Sequence, residues 1–298
     1  MSLSITSLIE KATTELENSD VFFGHGTDSA SGEALSVIEF ILNQSIENEQ
    51  ELKQKLTDAQ AQKFKHLIGQ RIATQKPLAY LLGHCSFAGL DFFVDERVII
   101  PRSPIAELID RDFDFLPTEP KLVLDLCCGS GCIGLAMAYH LNFQVVMSDV
   151  SEKALQVAKI NQENITAKAR GERRKIHCQL IKSDLFEDID TQFDLIVSNP
   201  PYVSHHQYQQ LPDEYHFEPR KALISNDGGL AIANEIMHKS ADYLSDDGCL
   251  ILEVGLNEDK FIDTYKQLEI FWLEFEFGGS GVCAIFKPEL LKLKNKGI

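Results

Sequence analysis

The stretch Lys121-Leu122-Val123-Leu124-Asp125-Leu126-Cys127-Cys128-Gly129-Ser130-Gly131-Cys132-Ile133-Gly134 reads as a buried strand, a tight turn and the opening of an apolar helix that continues from Leu135 to His140. A short apolar run closed by glycines suits a strand covered on both faces, as in a parallel sheet. Glycines at such a strand-to-helix turn let the backbone come close to a ligand. The next strand pattern, Gln144-Val145-Val146-Met147-Ser148, ends at Asp149, where a carboxylate can accept from both hydroxyls of a ribose. The turn is not G-x-G-x-x-G, because Cys127 stands in place of the first glycine, and no P-loop lysine follows; dinucleotide and triphosphate ligands are both disfavoured. A plain tight connection is the bland alternative. Asp125, the turn and Asp149 taken together favour a nucleoside ligand over it.

Downstream, the apolar strand Phe193-Asp194-Leu195-Ile196-Val197-Ser198 stops at Asn199-Pro200-Pro201-Tyr202. Two prolines in succession restrict φ and remove two N–H donors, so the carbonyls of Asn199 and Pro200 take a pre-set geometry. An incoming primary amide or exocyclic amine can then donate its hydrogens to the Asn199 side-chain oxygen and the Pro200 carbonyl, while Tyr202 packs on its flat face. This is a pocket for a planar, neutral nitrogen, and methylation is the chemistry it suits. Core packing is the alternative for Tyr202. His205 and His206, just beyond, are candidates to take up a proton, but without an identified carboxylate partner they read as surface-loop residues.

Asp125 to Gly134, Asp149, Asp184-Leu185-Phe186 and Asn199 to Tyr202 resemble the successive motifs of class I S-adenosylmethionine-dependent methyltransferases. The Asn-Pro-Pro-Tyr form is shared by amino-DNA methyltransferases, some RNA guanine methyltransferases and protein glutamine-N5 methyltransferases. More specific are Phe23-Gly24-His25-Gly26-Thr27-Asp28, Pro77-Leu78-Ala79-Tyr80-Leu81, Asp95 through Ile105, and Leu211-Pro212-Asp213-Glu214-Tyr215 with Glu218-Pro219. Over nearly its whole length the chain thereby resembles the protein glutamine-N5 methyltransferase family, on the branch that modifies large-subunit ribosomal protein L three. Pro101-Arg102-Ser103-Pro104 follows that branch rather than the Pro-Arg-Pro-Glu-Thr of the release-factor branch. Cys128 departs from the threonine usual in the loop.

The resemblance implies S-adenosyl-L-methionine as cofactor and a seven-stranded, mostly parallel α/β sheet of Rossmann-like type. It places the Gly129-Ser130-Gly131 backbone against the methionine portion, Asp149 at the ribose, and Asp184, Leu185 and Phe186 at the adenine, and it counts Asp125, Cys127 and Val150 among the cofactor-binding residues. Arg102 and Asn199 join the cofactor-binding set, and Asn199, Pro200, Pro201 and Tyr202 form the catalytic set. The sulfonium methyl needs no activation, so the protein has only to align an in-line displacement and expose a nitrogen lone pair. No metal is expected. Cys127, Cys128 and Cys132 share one turn, but no second Cys or His cluster has ligand spacing.

At 298 residues the chain has room for a full α/β domain and a smaller one, and 44% apolar residues is ordinary for a globular protein. Helical spacing over 4–18, 31–46 and 50–75 predicts a helical substrate-recognition domain over residues 1–76. A β-hairpin linker around Gly89 follows over 77–100, and a methyltransferase domain over 101–298. Strands are predicted near 121–126, 144–149, 177–183, 193–198, 249–254, 270–277 and 281–287, the last two paired antiparallel because too few residues separate them for a crossover. Forty-five acidic against twenty-eight basic residues give a formal charge of −17, and residues 1–100 are acidic as well. Such a charge repels phosphate backbones and attracts basic proteins. Simple solubility is the competing explanation. The expected partner is a basic ribosomal protein, free or in an assembly intermediate, with no direct DNA and no membrane. The opening Met1-Ser2-Leu3-Ser4-Ile5 has no basic or long apolar leader pattern, and an odd count of seven cysteines suits reduced thiols, so a cytoplasmic location is expected. A release-factor methyltransferase, a nucleic-acid amino-methyltransferase and a non-catalytic cofactor-binding protein remain the alternatives. The missing basic region disfavours the second, and the intact Asn-Pro-Pro-Tyr run disfavours the third.

Overall fold

A computed structural model describes residues 4–295. Residues 1–3, the opening of the expected helical domain, and 296–298, the close of the expected methyltransferase domain, lie outside the described residues. The chain divides into two compact units, the first running to Cys85 and taking in Pro212–Phe217, the second made of Ser86–Leu211 and the chain from Glu218 onward. Pro212–Phe217 thus joins the first unit, a division that the periodicity of the sequence does not draw.

In the first unit the helices are Ile5–Glu17, Ala30–Leu42, Glu49–Leu52, Asp58–Thr74 and Leu78–Leu82. The predicted run over 50–75 is two helices rather than one. Thr57 accepts from the Gln60 N–H while Gln60 reaches back to the Thr57 N–H, a reciprocal cap that starts a new helix, and Leu56 in the break is buried. Ile5, Leu8, Leu16, Val37, Ile38, Phe64 and Ile68 form the core. Arg71 lies fully buried beside it, its Nε and Nη2 on Glu33 at 3.0–3.2 Å and its Nη1 on Glu214 Oε1 at 3.2 Å. Glu214 Oε1 also accepts from the Phe22 N–H at 2.7 Å. These bonds explain why Pro212–Phe217 belongs with the helices: a buried guanidinium needs carboxylates around it, and the second one comes from that segment.

The hairpin β1 (Cys85–Phe87) and β2 (Leu90–Phe92) turns through Ala88 and Gly89, at φ 45° and 70°. The main sheet of the second unit comprises β3 (Leu122–Leu126), β4 (Gln144–Asp149), β5 (His177–Lys182), β6 (Phe193–Ser198), β7 (Leu244–Glu253), β8 (Phe271–Trp272) and β9 (Val282–Phe286). Their order is β5-β4-β3-β6-β7-β9-β8. The first five strands pair parallel, and β9 inserts antiparallel between β7 and β8. β7 begins at Leu244, earlier than predicted, because Leu244 pairs with Phe193 ahead of a register shift. β8 is only two residues long. Gly278, Gly279 and Gly281 beyond it all have positive φ, which suits a loop rather than an extended strand. Val123 faces one apolar layer with Ile133, Leu135 and Met147, whereas Leu124 and Leu126 face the other with Phe186, Ile236 and Phe261. No helix among the described residues is long and apolar enough to cross a membrane.

The chain leaves β3 to form β4 on one side and returns to form β6 on the other. Such a switch point opens a crevice beyond the carboxyl ends of the strands.

Candidate active site

Three strand ends meet at that crevice. β3 runs into the turn Cys127–Gly131, where Cys127, Gly129 and Gly131 have φ of 63°, 55° and 77°. Positive φ at Cys127 is strained for a residue with a side chain. The turn is held by backbone bonds to β4 and within itself: Cys128 N–H donates to Ser148 O at 2.9 Å, and Gly131 N–H to Cys128 O at 2.8 Å. Gly129 N–H donates to Asp149 Oδ2 at 2.9 Å. A Cβ built on Gly129 would meet nothing within 4 Å, so the turn is open there. At Gly134 the helix Cys132–His140 sits hard on the sheet, since a Cβ would lie 2.6 Å from Met147 Cγ and 2.8 Å from Asp125 Oδ2.

Asp125 is 1% exposed. Its Oδ2 accepts from the Gly134 N–H at 2.8 Å, while Oδ1 is buried with no hydrogen-bond partner among the described residues. Burial lifts its carboxyl to about 7, against the pull of the Gly134 N–H and with the negative charge of Asp149 adding to the rise. Asp149 ends β4 with Gly129 N–H on one oxygen and Ser151 N–H on the other, at 2.9 and 2.7 Å. One lone pair on each oxygen is left for further donors. Burial raises this carboxyl too, opposed by those two backbone bonds. Val150, the next residue, is 59% exposed. Beyond β5, Asp184 is exposed and Leu185 is buried with φ 50°. Phe186 is buried, its ring stacked on Tyr243 at 4.5 Å between centroids. Ser130 is buried, with its carbonyl accepting from Asn161.

Asn199, Pro200 and Pro201 leave β6 in partly to fully buried positions. Tyr202 is seated between glycines: a Cβ on Gly255 would lie 2.6 Å from its ring, and one on Gly229 would lie 2.2 Å from its carbonyl oxygen. Asn257 Nδ2 donates to that same carbonyl at 2.5 Å. The Tyr202 hydroxyl donates to Glu253 Oε1 at 3.0 Å. Arg102 forks onto Glu218 with both Nη atoms, at 2.5 and 2.7 Å, and also reaches the Ile100 carbonyl. His205 and His206 are exposed on the short helix His205–Tyr208, where His205 meets the Asn226 amide oxygen rather than a carboxylate.

The orphaned Asp125 oxygen, the open backbone at Gly129 and the Asp149 carboxylate fit a ligand that brings an amine and hydroxyls, as S-adenosylmethionine does. Residues 113–261 match the family described as methyltransferase small domain. The chain is 37% identical to the ribosomal protein uL3 glutamine methyltransferase of Francisella tularensis subsp. tularensis (strain SCHU S4), over 98% of this chain and 93% of that one. To the protein of the same name from Xanthomonas campestris pv. campestris it is 36% identical, over 97% and 92% of the two chains. This chain belongs to the ribosomal protein uL3 glutamine methyltransferase family. It has the class I methyltransferase fold and uses S-adenosylmethionine as methyl donor. The fold is shared with the hMettl16 catalytic domain, solved in complex with MAT2A 3'UTR hairpin 6, at a TM-score of 0.50 and 15% identity over 80% of this chain and 84% of that one.

Two residues of this family member carry the site without any motif to announce them. Glu253, at the end of β7, accepts from Ser103 Oγ at 2.6 Å as well as from Tyr202. Asn161, fully buried on the helix Glu152–Gly171, donates to the Ser130 and Phe93 carbonyls and accepts from the Phe93 N–H. An asparagine at an otherwise apolar helix position is the signal that points to Asn161, and a carboxylate closing an apolar strand is the signal at Glu253.

Proposed function

We propose that this enzyme methylates the side-chain amide nitrogen (N5) of a glutamine in ribosomal protein uL3. Support comes from one juxtaposition above all: Asn199 and Tyr202 stand at the end of β6, and the glycine turn stands at the end of β3, its hydrogen-bonded neighbour. Asp125, Cys127, Gly129, Ser130, Gly131, Asp149, Val150, Asp184, Leu185 and Phe186, with Arg102, are the residues we assign to the cofactor. When bound, S-adenosylmethionine supplies an electrophilic methyl group on a sulfonium.

The chain's own contribution is to the acceptor. A glutamine amide is a poor nucleophile because its lone pair is delocalised into the carbonyl. The Asn199 Oδ1 and the Pro200 carbonyl accept its two N–H groups, which draws the nitrogen away from planarity and stabilises positive charge developing there. Prealigned acceptors of this kind contribute on the order of a few kcal/mol. Tyr202 covers the flat face, and its rigid seat between Gly229 and Gly255 keeps that cover in place. The helical unit is assigned to substrate recognition, and a cytoplasmic location belongs to the same reading.

The test is methyl transfer from labelled cofactor to purified uL3, release factors and duplex DNA in parallel. Label is expected on a glutamine of uL3. Asn199→Ala is expected to lower kcat by about 10²-fold while cofactor affinity falls far less. Label entering DNA and no protein would overturn the reading, and label favouring release factors would move the chain to that substrate.

A further inference from the structure

We propose that Leu256 and Phe277 form an apolar rim beside the acceptor pocket, and that this rim grips the stretch of substrate protein that carries the target glutamine. The stretch it fits joins a large apolar side chain to basic ones. This deepens the reading of the site as a glutamine methyltransferase and rests on it. Leu256 and Phe277 are 87% and 85% exposed, the highest values of any large apolar side chain among the described residues. Apolar residues scattered singly over a surface need no explanation. These two stand on loops that pack against one another and against the seat of Tyr202. Leu256 directly follows Gly255, where a Cβ would lie 2.6 Å from the Tyr202 ring. Gly281, in the loop after Phe277, is so close to Gly255 that a Cβ there would meet its carbonyl oxygen at 2.1 Å. The Gly281 carbonyl accepts from the Val254 N–H at 2.6 Å, and its N–H donates to Glu258 Oε2 at 3.0 Å. Gly279 approaches Pro104 in the same way, a Cβ there lying 2.8 Å from the proline Cβ.

The exposure of Phe277 is held in place by its backbone. Glu107, on the helix Ile105–Asp110, takes the Glu276 N–H on one carboxylate oxygen at 2.8 Å and the Phe277 N–H on the other at 3.0 Å. That fork fixes the chain at Phe277 while its side chain stays in water. The charge around the pair indicates the partner. Glu274, Glu276 and Asp259 are exposed, and no basic residue occurs from Gln267 to Phe286. Lys260, the basic residue that follows Asp259, is engaged with Asp227. Apolar points in an acidic surround attract a cationic polypeptide and repel a phosphate backbone. A second copy of this chain, at a formal charge of −17, is disfavoured by the same repulsion. The cationic polypeptide that must come to Tyr202 in every turnover is the ribosomal substrate, so its segment beside the glutamine is the occupant.

The experiment measures methyl transfer to purified uL3 over a range of uL3 concentrations with cofactor saturating, at low and at high salt. It compares wild type with the Leu256→Ser/Phe277→Ser pair and the conservative Leu256→Met/Phe277→Leu pair. The serine pair is expected to raise KM for uL3 about tenfold or more, the scale of losing two large apolar side chains that become buried on binding. Its kcat and cofactor Kd are expected to stay within about threefold of wild type, because the contacts are made equally before and during transfer. The conservative pair is expected to bring KM back to within about threefold of wild type, since it keeps apolar bulk. KM of the wild type is expected to rise with salt while the ratio of serine pair to wild type holds, because screening acts on charge and not on apolar burial. Both side chains are on the surface, so the urea midpoint of the serine pair is expected to match wild type; if it falls, Phe277→Ser alone must show the rise in KM. An unchanged KM, or a loss confined to kcat, would overturn the rim and leave the methyltransferase reading standing. So would an unchanged KM with a shift from dimer to monomer in sedimentation velocity, which would make this face a contact between copies. No label on uL3 from the wild type would overturn both.

Discussion

Asp125 shows how far a single residue can be read before its surroundings are known. The resemblance assigns it to the cofactor set, and its placement adds a chemical consequence: the carboxyl is 1% exposed and is raised to about 7, mainly by burial. A carboxyl raised in the folded state holds its proton more tightly there than in the unfolded chain, whose ordinary value is 3.8. Its stabilising contribution is then fully present below about 3.8 and is lost as pH rises through about 7. Glu33, Asp149 and Glu253 are raised in the same direction. Thermal unfolding of the ligand-free enzyme followed from pH 5 to 8 is expected to show stability falling with pH. Asp125→Asn, neutral throughout, is expected to fall less steeply. An equally steep fall in the variant would remove Asp125 as a source of the slope.

At the scale of elements, the site depends on how closely the helix Cys132–His140 and the sheet approach one another. Gly134 is the point of contact, where a methyl group would enter the space of Met147 and of Asp125 Oδ2, the acceptor of its own N–H. Gly134→Ala is expected to cost about 1–3 kcal/mol of stability, the usual range for overpacking a filled interior. Urea titration should show a lower midpoint with an unchanged slope. A variant as stable as wild type would mean that Met147 moves aside freely. The glycines around Tyr202 belong to the same scale. Gly281, where a Cβ would lie 2.1 Å from the Gly255 carbonyl oxygen, brings the loop before β9 against Gly255, which in turn seats the Tyr202 ring.

Over the whole molecule, the charge of −17 bears on encounter with the substrate rather than on chemistry. An acidic enzyme acting on a basic ribosomal protein is steered to it at low ionic strength, and screening over a Debye length of about 8 Å in physiological salt weakens that steering. The association rate with uL3 is therefore expected to fall as salt rises, while kcat stays nearly constant; stopped-flow binding at several salt concentrations reads both against single-turnover transfer. A salt-independent rate would leave the acidity as a matter of solubility.

The strand-turn-helix from Lys121, the strand ending at Asp149 and the Asn199-Pro200-Pro201-Tyr202 run were legible in the chain itself, because each is a local pattern: apolar runs of strand length, glycines where φ turns positive, prolines where donors vanish. The parallel sheet and its antiparallel close followed from the spacing of those runs. Contacts that join distant positions could not be read that way. The sequence alone does not show that Glu253 meets Ser103 and Tyr202, or that Asn161 props the glycine turn. Nor does it show that Glu214, far along the chain, completes the shell around Arg71 and so draws Pro212–Phe217 into the helical unit. A buried polar side chain is satisfied by whichever partner the fold brings to it, at any separation in sequence, so only the tertiary structure decides which partner that is.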